Sequence, residues 1–365
     1  KLNKQAETKR PQGYRKPPRN ASDTVKQTSI GVAMSGGVDS TATALLLKQQ
    51  HRVTGFFMEL AQSNLAADRQ RVQEIAARLD IPLHCVDLHE AFTAQVLRPF
   101  AHSYGCGLTP NPCIICNETI KFGRFLEHIL AQGMTAMATG HYAQIRKQEG
   151  QVQLCRGQDQ NKDQSYFLAR LDQNQLQRVV FPLGQMTKEE AYQLVEEAGF
   201  TDFRGRESQD ICFLDQGRTG DYLQQRLGLA EQPGEIVNAQ GQVLGQHRGI
   251  FHYTIGQRRG LGLPDQTPWY VTGLDAKQNR VVVGKQDALF QHRVEIHTLR
   301  WHDTPLPPAD QTFEVKLRHC RLGGQATLTI TAPDRATINF TEPQRAVTPG
   351  QFAVIYDHER VMGSG

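Results

Sequence analysis

The sequence predicts an α/β protein in which a parallel-sheet domain is followed by a small central domain and a β-rich C-terminal domain. Strands and helices alternate over roughly the first 140 residues, helices become scarce after about residue 215, and the last part alternates apolar with polar residues. We expect four segments: a basic arm over 1–28, the parallel-sheet domain over 29–215, the central domain over 216–288 and a β-barrel over 289–365.

The first domain follows a strand–helix rhythm that indicates parallel strands joined by crossover helices. A short apolar run, 29–34, is predicted to be a buried strand and leads through a Gly-rich turn into a helix over 41–50. The strands and helices that continue this rhythm are predicted over 52–58, 65–79, 83–88, 117–131 and 136–139.

The pattern then changes. Residues 142–156 are predicted to form a hairpin across Glu149-Gly150, and Thr187 with Glu190 forms a capping box that opens a helix over 187–198. A strand is predicted over 281–284. In the last segment, strands over 327–330 and 336–340 are predicted to be joined by a turn at Pro333-Asp334.

Composition limits the class of protein. The chain has 365 residues, is 39% hydrophobic and has no apolar run of the roughly 18 residues that a membrane span needs. No secretion signal opens it, and seven cysteines form an odd and sparse set, so we expect a cytoplasmic protein with reduced thiols and no membrane partner. The arm over 1–28 has eight basic and two acidic residues; it could contact RNA phosphates, act as a targeting segment or simply be solvated.

The Gly-rich turn is the first candidate site. It reads Ser35-Gly36-Gly37-Val38-Asp39-Ser40 and stands where helix N-terminal N–H groups form a nest for anionic oxygens. It has no Lys at the position where a Walker A loop has one, which indicates pyrophosphate rather than γ-phosphate chemistry. Asp39 is predicted to bind Mg²⁺ or to cap the helix. The alternative is an ordinary tight turn without a ligand.

The cysteines are the second candidate site. Cys113-Ile114-Ile115-Cys116 lies in a Pro-broken loop that enters a helix N-terminus, a position that favours a lowered thiol pKa. Cys212 is a third thiol that could meet this pair in space. A redox pair, half of a zinc site, part of an iron–sulfur site and a purely structural pair all remain open on spacing alone. Cys85, Cys155 and Cys320 fall in predicted strands and are expected to be buried or incidental, and Cys106 is ambiguous.

The turn resembles the SGGxDS signature of the PP-loop ATP pyrophosphatases, which adenylate a carbonyl-type oxygen and release pyrophosphate. The order of motifs over 30–356 resembles one branch of these enzymes, the tRNA-specific 2-thiouridylases. The motifs, in chain order, are Asn111-Pro112 with Cys116-Asn117, Ile120-Lys121-Phe122, Thr139-Gly140-His141-Tyr142-Ala143, 162–168, Phe181-Pro182-Leu183-Gly184, 208–213 and 253–262. The resemblance implies an adenine-nucleotide α-hydrolase-like fold for the first domain.

The resemblance also implies roles for single residues. ATP, with Mg²⁺, would be bound by Ala33, Met34, Ser35, Gly36, Gly37, Val38, Asp39, Ser40, Met58 and Gly140, although Met58 could equally be a core residue. Cys212 would hold a persulfide, and Cys116 would be its partner thiol. The tRNA contacts would be made by Asn111, Pro112, Cys113, Lys162, Asp163, Gln164, Arg318 and His319, the first three against the target base.

The implied reaction is adenylation of the C2 oxygen of the wobble uridine (position 34) of Lys-, Glu- and Gln-type tRNAs, followed by sulfur attack. The sulfur donor would be a cysteine desulfurase or a sulfur-relay protein. Cys113 departs from the better-known branch, which has Asp at this position, and resembles a subset proposed to hold a [4Fe-4S] cluster on Cys113, Cys116 and Cys212. Persulfide and cluster chemistry therefore both stay open.

A second departure is the short 59–68 region, which lacks the insert usual after the second strand. Two other classes of function compete with a thiolase. An amide-forming PP-loop synthetase would need neither three cysteines nor an RNA-binding β domain, and a non-catalytic tRNA-binding protein would not need the complete loop.

Overall fold

The structure is a computed structural model that describes residues 28–62, 64–148, 150–205, 211–214, 219–264, 266–302, 308, 310–320 and 322–365. All but the last residue of the basic arm over 1–28 lie outside these ranges, as do Ser208, Gln209 and Asp210 of the 208–213 motif. Within the described ranges, no helix combines the length and the apolar character needed to cross a membrane.

The first domain contains a five-stranded parallel sheet with the strand order β3-β2-β1-β4-β7. These strands are β1 Ser29–Met34, β2 Arg52–Glu59, β3 Leu83–Asp87, β4 Ala136–Ala138 and β7 Val179–Val180. Because β1 lies in the centre, the turn that follows it opens at the middle of the carboxyl edge of the sheet, where ligands bind in open α/β sheets.

Helices accompany this sheet. They are α1 Val38–Lys48, α2 Leu65–Arg78, α3 His89–Phe92, α4 Arg98–Gly105, α5 Pro112–Ile115, α6 Leu126–Ala131, α7 Ser165–Leu168, α8 Gln173–Leu176, α9 Lys188–Glu197 and α10 Thr219–Gln225. Two π-helical segments, Thr93–Leu97 and Cys116–Phe125, join α3 to α4 and α5 to α6. Short 3₁₀ turns occupy Pro182–Gln185, Ile250–His252 and Gln286–Leu289.

Two further sheets follow. The central one has the order β10-β11-β8-β9, with β8 Gly234–Asn238, β9 Val243–His247, β10 Tyr270–Asp275 and β11 Arg280–Gly284. The C-terminal antiparallel sheet has the order β12-β16-β15-β14-β17-β18-β6-β5, with β13 paired to β18. Its strands are β5 Ala143–Gln148, β6 Gln151–Arg156, β12 Phe290–His297, β13 Arg300–Trp301, β14 Thr312–Lys316, β15 Gly324–Ala332, β16 Arg335–Arg345, β17 Val354–Asp357 and β18 Arg360–Ser364.

The hairpin β5–β6 thus belongs to the first part of the chain but extends the C-terminal sheet, because Cys155 of β6 pairs with Arg360 of β18. One apolar core crosses this junction: Phe56 of the parallel sheet and Tyr356 of β17 belong to the same cluster of buried residues. Burial of this shared core fixes the C-terminal sheet against the parallel-sheet domain.

The main sequence predictions are confirmed. The parallel sheet, the 142–156 hairpin, the turn at 333–334 and the capping box of α9 are present, and both hydrogen bonds of the Thr187/Glu190 box form. The helical run over 89–105 was not predicted. Cys320 follows β14 in a turn rather than lying in a strand, and Cys85 is exposed, so only Cys155 is a buried strand cysteine.

Candidate active site at the edge of the parallel sheet

The turn after β1 has the geometry of a phosphate-binding nest. Gly36 has a φ of +78°, in the left-handed region that favours glycine, and Gly37 is the N-cap of α1. The Ser40 hydroxyl donates to the Gly37 carbonyl at 3.0 Å and accepts from the Ser35 N–H at 3.2 Å. These bonds hold the loop closed at the N-terminus of α1, where backbone N–H groups favour an anionic ligand.

The Asp39 carboxylate is held by two residues from distant segments. Lys188 Nζ lies 2.8 Å and 2.9 Å from its two oxygens, and the Tyr142 hydroxyl donates to Oδ1 at 2.8 Å. Because Gly37 is the N-cap and makes no side-chain cap, the predicted capping role of Asp39 is wrong. Asp39 lies in the first turn of the helix, where its carboxylate pairs with the Lys188 ammonium instead.

Gly140 follows β4 and touches the loop directly. A Cβ atom at this position would lie 2.7 Å from the Asp39 Cβ and 2.8 Å from the Asp39 carbonyl carbon, closer than packing allows. Only glycine lets the two backbones approach in this way.

The remaining predicted ATP residues lie around the same edge. Met34 and Val38 are buried, whereas Ala33 and Met58 are half-buried at the ends of β1 and β2. Met58 packs against two apolar clusters. It therefore also contributes to the core, the alternative role that the sequence left open.

The three predicted thiols come together on the neighbouring helical run. Asn111 caps α5 by accepting the Ile114 N–H at 3.3 Å, which places Cys113 in α5 and Cys116 at the start of the π-helical segment. Cys212 reaches them on a short turn that is anchored by Phe213, which packs edge-on against Phe92 and Phe100. All three thiols are free, and Cys212 is the exposed one.

Loss of hydration is the largest cause of the raised pKa of each of these thiols. The pKa of Cys113 is raised to about 11 and that of Cys116 to about 12, chiefly by desolvation, and the neighbouring Cys212 acts in the same direction on both. Desolvation also raises the pKa of Cys212. The lowered pKa predicted from the helix N-terminus is therefore wrong, because loss of water outweighs the helix dipole. In all three cases the Lys121 ammonium acts in the opposite direction and lowers the pKa.

His141 packs among aromatic side chains beside Gly140. It directly follows Gly140, its Nδ1 lies 2.7 Å from the Thr139 hydroxyl, and its ring packs against Phe122 at 5.6 Å. Desolvation and the positive charge of Lys121 hold its pKa well below the usual value, so the imidazole is neutral at pH 7. Residues 140–141 therefore combine a glycine that touches the phosphate loop with a neutral imidazole.

The donor sets differ in how they suit metals. Asp39 supplies one half-exposed carboxylate beside the phosphate nest. This arrangement suits Mg²⁺, which takes one or two carboxylates and completes its coordination shell with phosphate oxygens and water. In the part of the chain that the structure describes, no group of three His, Cys, Asp or Glu side chains is arranged to hold a metal ion.

The loop before α5 is fixed to the C-terminal sheet. The Thr109 N–H donates to the Pro349 carbonyl at 2.9 Å, and the Gln351 amide donates to the Thr109 carbonyl at 2.6 Å. A cleft of about 710 Å³ separates this loop, with Asn111 and Pro112, from the strands that face it. The lining includes Pro112 and Ile115, which flank Cys113 in the sequence, but none of the three cysteines, and the volume is large enough for a nucleoside.

Residues 162–164, which are predicted to contact tRNA, differ in their burial and hydrogen bonds. Asp163 is 5% exposed and accepts hydrogen bonds from the N–H groups of Gly157 and Ser165, at 3.1 Å each. Direct RNA contact by this carboxylate is not compatible with its burial, so Asp163 holds the loop instead. Gln164 accepts from the Tyr142 N–H at 3.1 Å, and Lys162 is half-buried.

Arg318 and His319, which follow β14, were also predicted to contact tRNA. The His319 side chain packs against the 162–168 segment. Arg318 donates to the Thr348 hydroxyl, and the His319 ring lies 4.4 Å from that of Phe167. Desolvation and the positive charge of Lys316 lower the pKa of His319, while Asp163 acts in the opposite direction. The C-terminal sheet thus brings the pair beside the 162–168 motif.

Sequence analysis did not single out three residues of the site: Lys188, Lys121 and His141. Two of them were inside quoted motifs, since Lys121 stands in 120–122 and His141 in 139–143. Lys188 follows the N-cap Thr187, and its partner Asp39 is 149 residues away, so only the fold shows the pairing.

Family models match three consecutive segments of the chain. A "tRNA methyl transferase HUP domain" covers residues 28–216, a "tRNA methyl transferase PRC-barrel domain" covers 220–285, and an "Aminomethyltransferase beta-barrel domain" covers 291–365.

Curated relatives match nearly the whole chain. The tRNA-specific 2-thiouridylase MnmA of Desulfotalea psychrophila is 51% identical over 335 residues, which are 92% of this chain and 97% of the relative. The protein of the same name from Syntrophotalea carbinolica is 42% identical, covering 93% of this chain and 98% of the relative. That from Streptococcus sanguinis is 39% identical, covering 92% and 94%.

Proposed function

This chain belongs to the tRNA-specific 2-thiouridylase family, and from that premise we propose that it uses ATP to replace the C2 oxygen of the wobble uridine of tRNA with sulfur. The observation that carries the proposal is that a phosphate-binding nest and three free cysteines stand in the same part of the fold. The nest follows β1 and is touched by Gly140 at Asp39, while Cys113, Cys116 and Cys212 lie on the α5 run and on a short turn. The proposal is that a base activated at the nest receives its sulfur from these thiols.

In the first step, the uridine C2 oxygen attacks the α-phosphorus of ATP and pyrophosphate leaves. The nest over 35–40 binds the departing pyrophosphate through its N–H groups and hydroxyls. Asp39 is the residue that would hold Mg²⁺, which supplies charge neutralisation of the phosphates. Lys188, already at the carboxylate, offers a cation at the place where a Walker A lysine is missing.

In the second step, the outer sulfur of a Cys212 persulfide bonds to C2, and the oxygen leaves with AMP. The Cys116 thiolate then attacks the Cys212 sulfur, which leaves 2-thiouridine on the tRNA and a Cys116–Cys212 disulfide for an external thiol to reduce. The exposed position of Cys212 suits loading by a donor protein, whereas the half-buried Cys116 suits a resolving role. Cysteine desulfurases and sulfur-relay proteins are the donor classes that supply such a persulfide.

The tRNA is proposed to lie across the loop before α5 and the C-terminal sheet. Asn111, Pro112 and Cys113 line the approach to the thiols, and a uridine flipped out of the anticodon loop fits the adjoining cleft. Lys162 and the pair Arg318-His319 are proposed phosphate and sugar contacts at its rim. The tRNAs expected are those of the Lys, Glu and Gln type with a wobble uridine.

A thiolation assay with anaerobically purified protein tests this function. Wild type and Cys113→Ala are supplied with ATP, wobble-uridine tRNA and a persulfide donor, while bound iron and acid-labile sulfide are measured. We expect 2-thiouridine to form without stoichiometric iron. Stoichiometric iron with activity lost in Cys113→Ala would replace the persulfide route by a cluster route, and no thiolation under either condition would reject the function. An amide-forming synthetase would release pyrophosphate without tRNA.

A further inference from the structure

Arg71 of α2 lies against the phosphate loop. The stem of its side chain runs beside Gly36, since a Cβ atom at that glycine would lie 3.4 Å from the Arg71 Cδ and 3.5 Å from its Cγ. The guanidinium begins at the atom after Cδ, so rotation about the terminal bonds of the side chain can bring its N–H groups to an anion in the nest. The loop over 35–40 contains no Lys or Arg of its own.

The guanidinium of Arg71 has an unused hydrogen-bond donor. Its Nε is buried and has no hydrogen-bond partner in the part of the chain that the structure describes. The ion pair with Asp202 spans 3.9 Å, and the Asp202 side chain is 59% exposed, so water screens the attraction. The guanidinium carbon lies 5.2 Å from the centre of the Phe203 ring. A buried N–H group without an acceptor costs free energy, which an anionic ligand at the nest would recover.

Arg78, about two turns further along α2, shows the contacts of a structural arginine on the same helix. It donates to the Gly199 carbonyl at 2.7 Å, and its guanidinium carbon lies 3.9 Å from the centre of the Phe200 ring. Both arginines thus pack on a phenylalanine of the segment after α9, but Arg78 packs more closely and also makes a hydrogen bond. Packing on this segment therefore does not account for the unused donor of Arg71.

The side chains at the nest supply no net positive charge without Arg71. The Lys188 ammonium is neutralised by Asp39. Two acidic side chains act on Arg71, Asp68 from one turn earlier on α2 and Asp202, and both are partly exposed to water, which weakens their effect. Pyrophosphate is strongly anionic and gains charge as it leaves, so an additional cation at the nest would favour its departure.

We propose that Arg71 binds the pyrophosphate half of ATP at the nest and stabilises pyrophosphate as it leaves. The bond between the α-phosphorus and the bridging oxygen breaks, its electron pair stays on that oxygen, and the Arg71 N–H groups donate to the phosphate oxygens that carry the new charge. Arg71 thus adds, from α2, a cation to the loop. This assignment rests on the proposed function for its place in the reaction, whereas the binding of pyrophosphate itself needs neither tRNA nor sulfur.

The affinity for pyrophosphate tests the assignment. Inorganic pyrophosphate and AMP are titrated separately, each with Mg²⁺, into the full-length protein, and calorimetry gives the dissociation constants. Wild type is compared with Arg71→Gln, Arg71→Lys and the matched control Arg78→Gln. In Arg71→Gln we expect pyrophosphate to bind about tenfold more weakly and AMP to bind as in wild type, because a charge-assisted hydrogen bond to a phosphate is lost. Arg71→Lys keeps the charge and should recover part of the affinity, and Arg78→Gln should bind like wild type.

The same pyrophosphate affinity in wild type and Arg71→Gln overturns the assignment, as does wild type that binds no pyrophosphate. An equal loss of AMP affinity in Arg71→Gln also overturns it, because that result would indicate a distorted loop. Weakened tRNA binding with unchanged pyrophosphate binding would assign Arg71 to tRNA contact instead. If Arg71→Gln shows the expected loss but wild type forms no 2-thiouridine, the proposed function is rejected and the role of Arg71 stands.

Discussion

Lys188 and Asp39, 149 residues apart in sequence, form a two-point ion pair in which the ammonium lies 2.8 Å and 2.9 Å from the two carboxylate oxygens. The pair joins the first turn of α9 to the first turn of α1. It places a cation at the phosphate nest from outside the loop, and it fixes the orientation of the Asp39 carboxylate.

The ion pair predicts that Lys188→Ala lowers tRNA-dependent pyrophosphate release by about 10²-fold, the usual loss when one preorganised charge is removed from a reacting phosphate. Steady-state release at saturating tRNA measures it. Lys147→Ala, at an exposed position of β5, is the control. Full activity in Lys188→Ala would mean that the ion pair serves structure alone.

Gly140 lies so close to Asp39 that a methyl group at position 140 must push Asp39 and its loop outward. We therefore expect Gly140→Ala to weaken ATP binding by more than about tenfold. Gly105→Ala is a matched control, since a Cβ there meets nothing within 4 Å. ATP affinity is measured by equilibrium binding. Equal affinities in the two variants would show that the loop tolerates the displacement.

Burial of Asp163 predicts a stability effect. In Asp163→Ala, the N–H groups of Gly157 and Ser165 lose their acceptor, which lowers the free energy of unfolding by about 3 kcal/mol and the thermal midpoint by several degrees. Thermal denaturation measures the change against Asp202→Ala, whose side chain is 59% exposed. A variant with wild-type stability and weakened tRNA binding would instead support direct RNA contact.

Because the phosphate nest and the thiols are proposed to act in different steps, substitutions of the cysteines should affect one step only. Cys116→Ser and Cys212→Ser should lose 2-thiouridine formation while retaining tRNA-dependent pyrophosphate release, because neither thiol touches the phosphate nest. Cys85→Ser and Cys106→Ser, at exposed positions away from the site, should behave like wild type. Loss of pyrophosphate release in Cys116→Ser would show that the two steps cannot be separated.

Local sequence patterns predicted much of the fold because local hydrogen bonding decides those features. The Ser35–Ser40 turn, the Thr187/Glu190 box and the β5–β6 hairpin each depend on residues that lie within a few positions of one another. The placement of the hairpin in the C-terminal sheet depends on the pairing of Cys155 with Arg360, which no local pattern reveals.

The same distinction applies to the site. The resemblance of the motifs indicated that Cys113, Cys116 and Cys212 act together, but the acidity of their thiols could not be predicted. The helix N-terminus favours a lowered pKa, whereas burial, a property of the folded chain, raises it. Asp163 illustrates the same point, since a charged residue in a polar motif turned out to be 5% exposed.

The central claim is that the phosphate nest and the thiol site act on one uridine in one turnover. The most direct test measures AMP, pyrophosphate and 2-thiouridine together in a single reaction of wild-type protein with ATP, wobble-uridine tRNA and a persulfide donor. The account predicts that the three products form in equal amounts and that none forms without tRNA. Pyrophosphate released without tRNA, or 2-thiouridine formed without AMP, would contradict it.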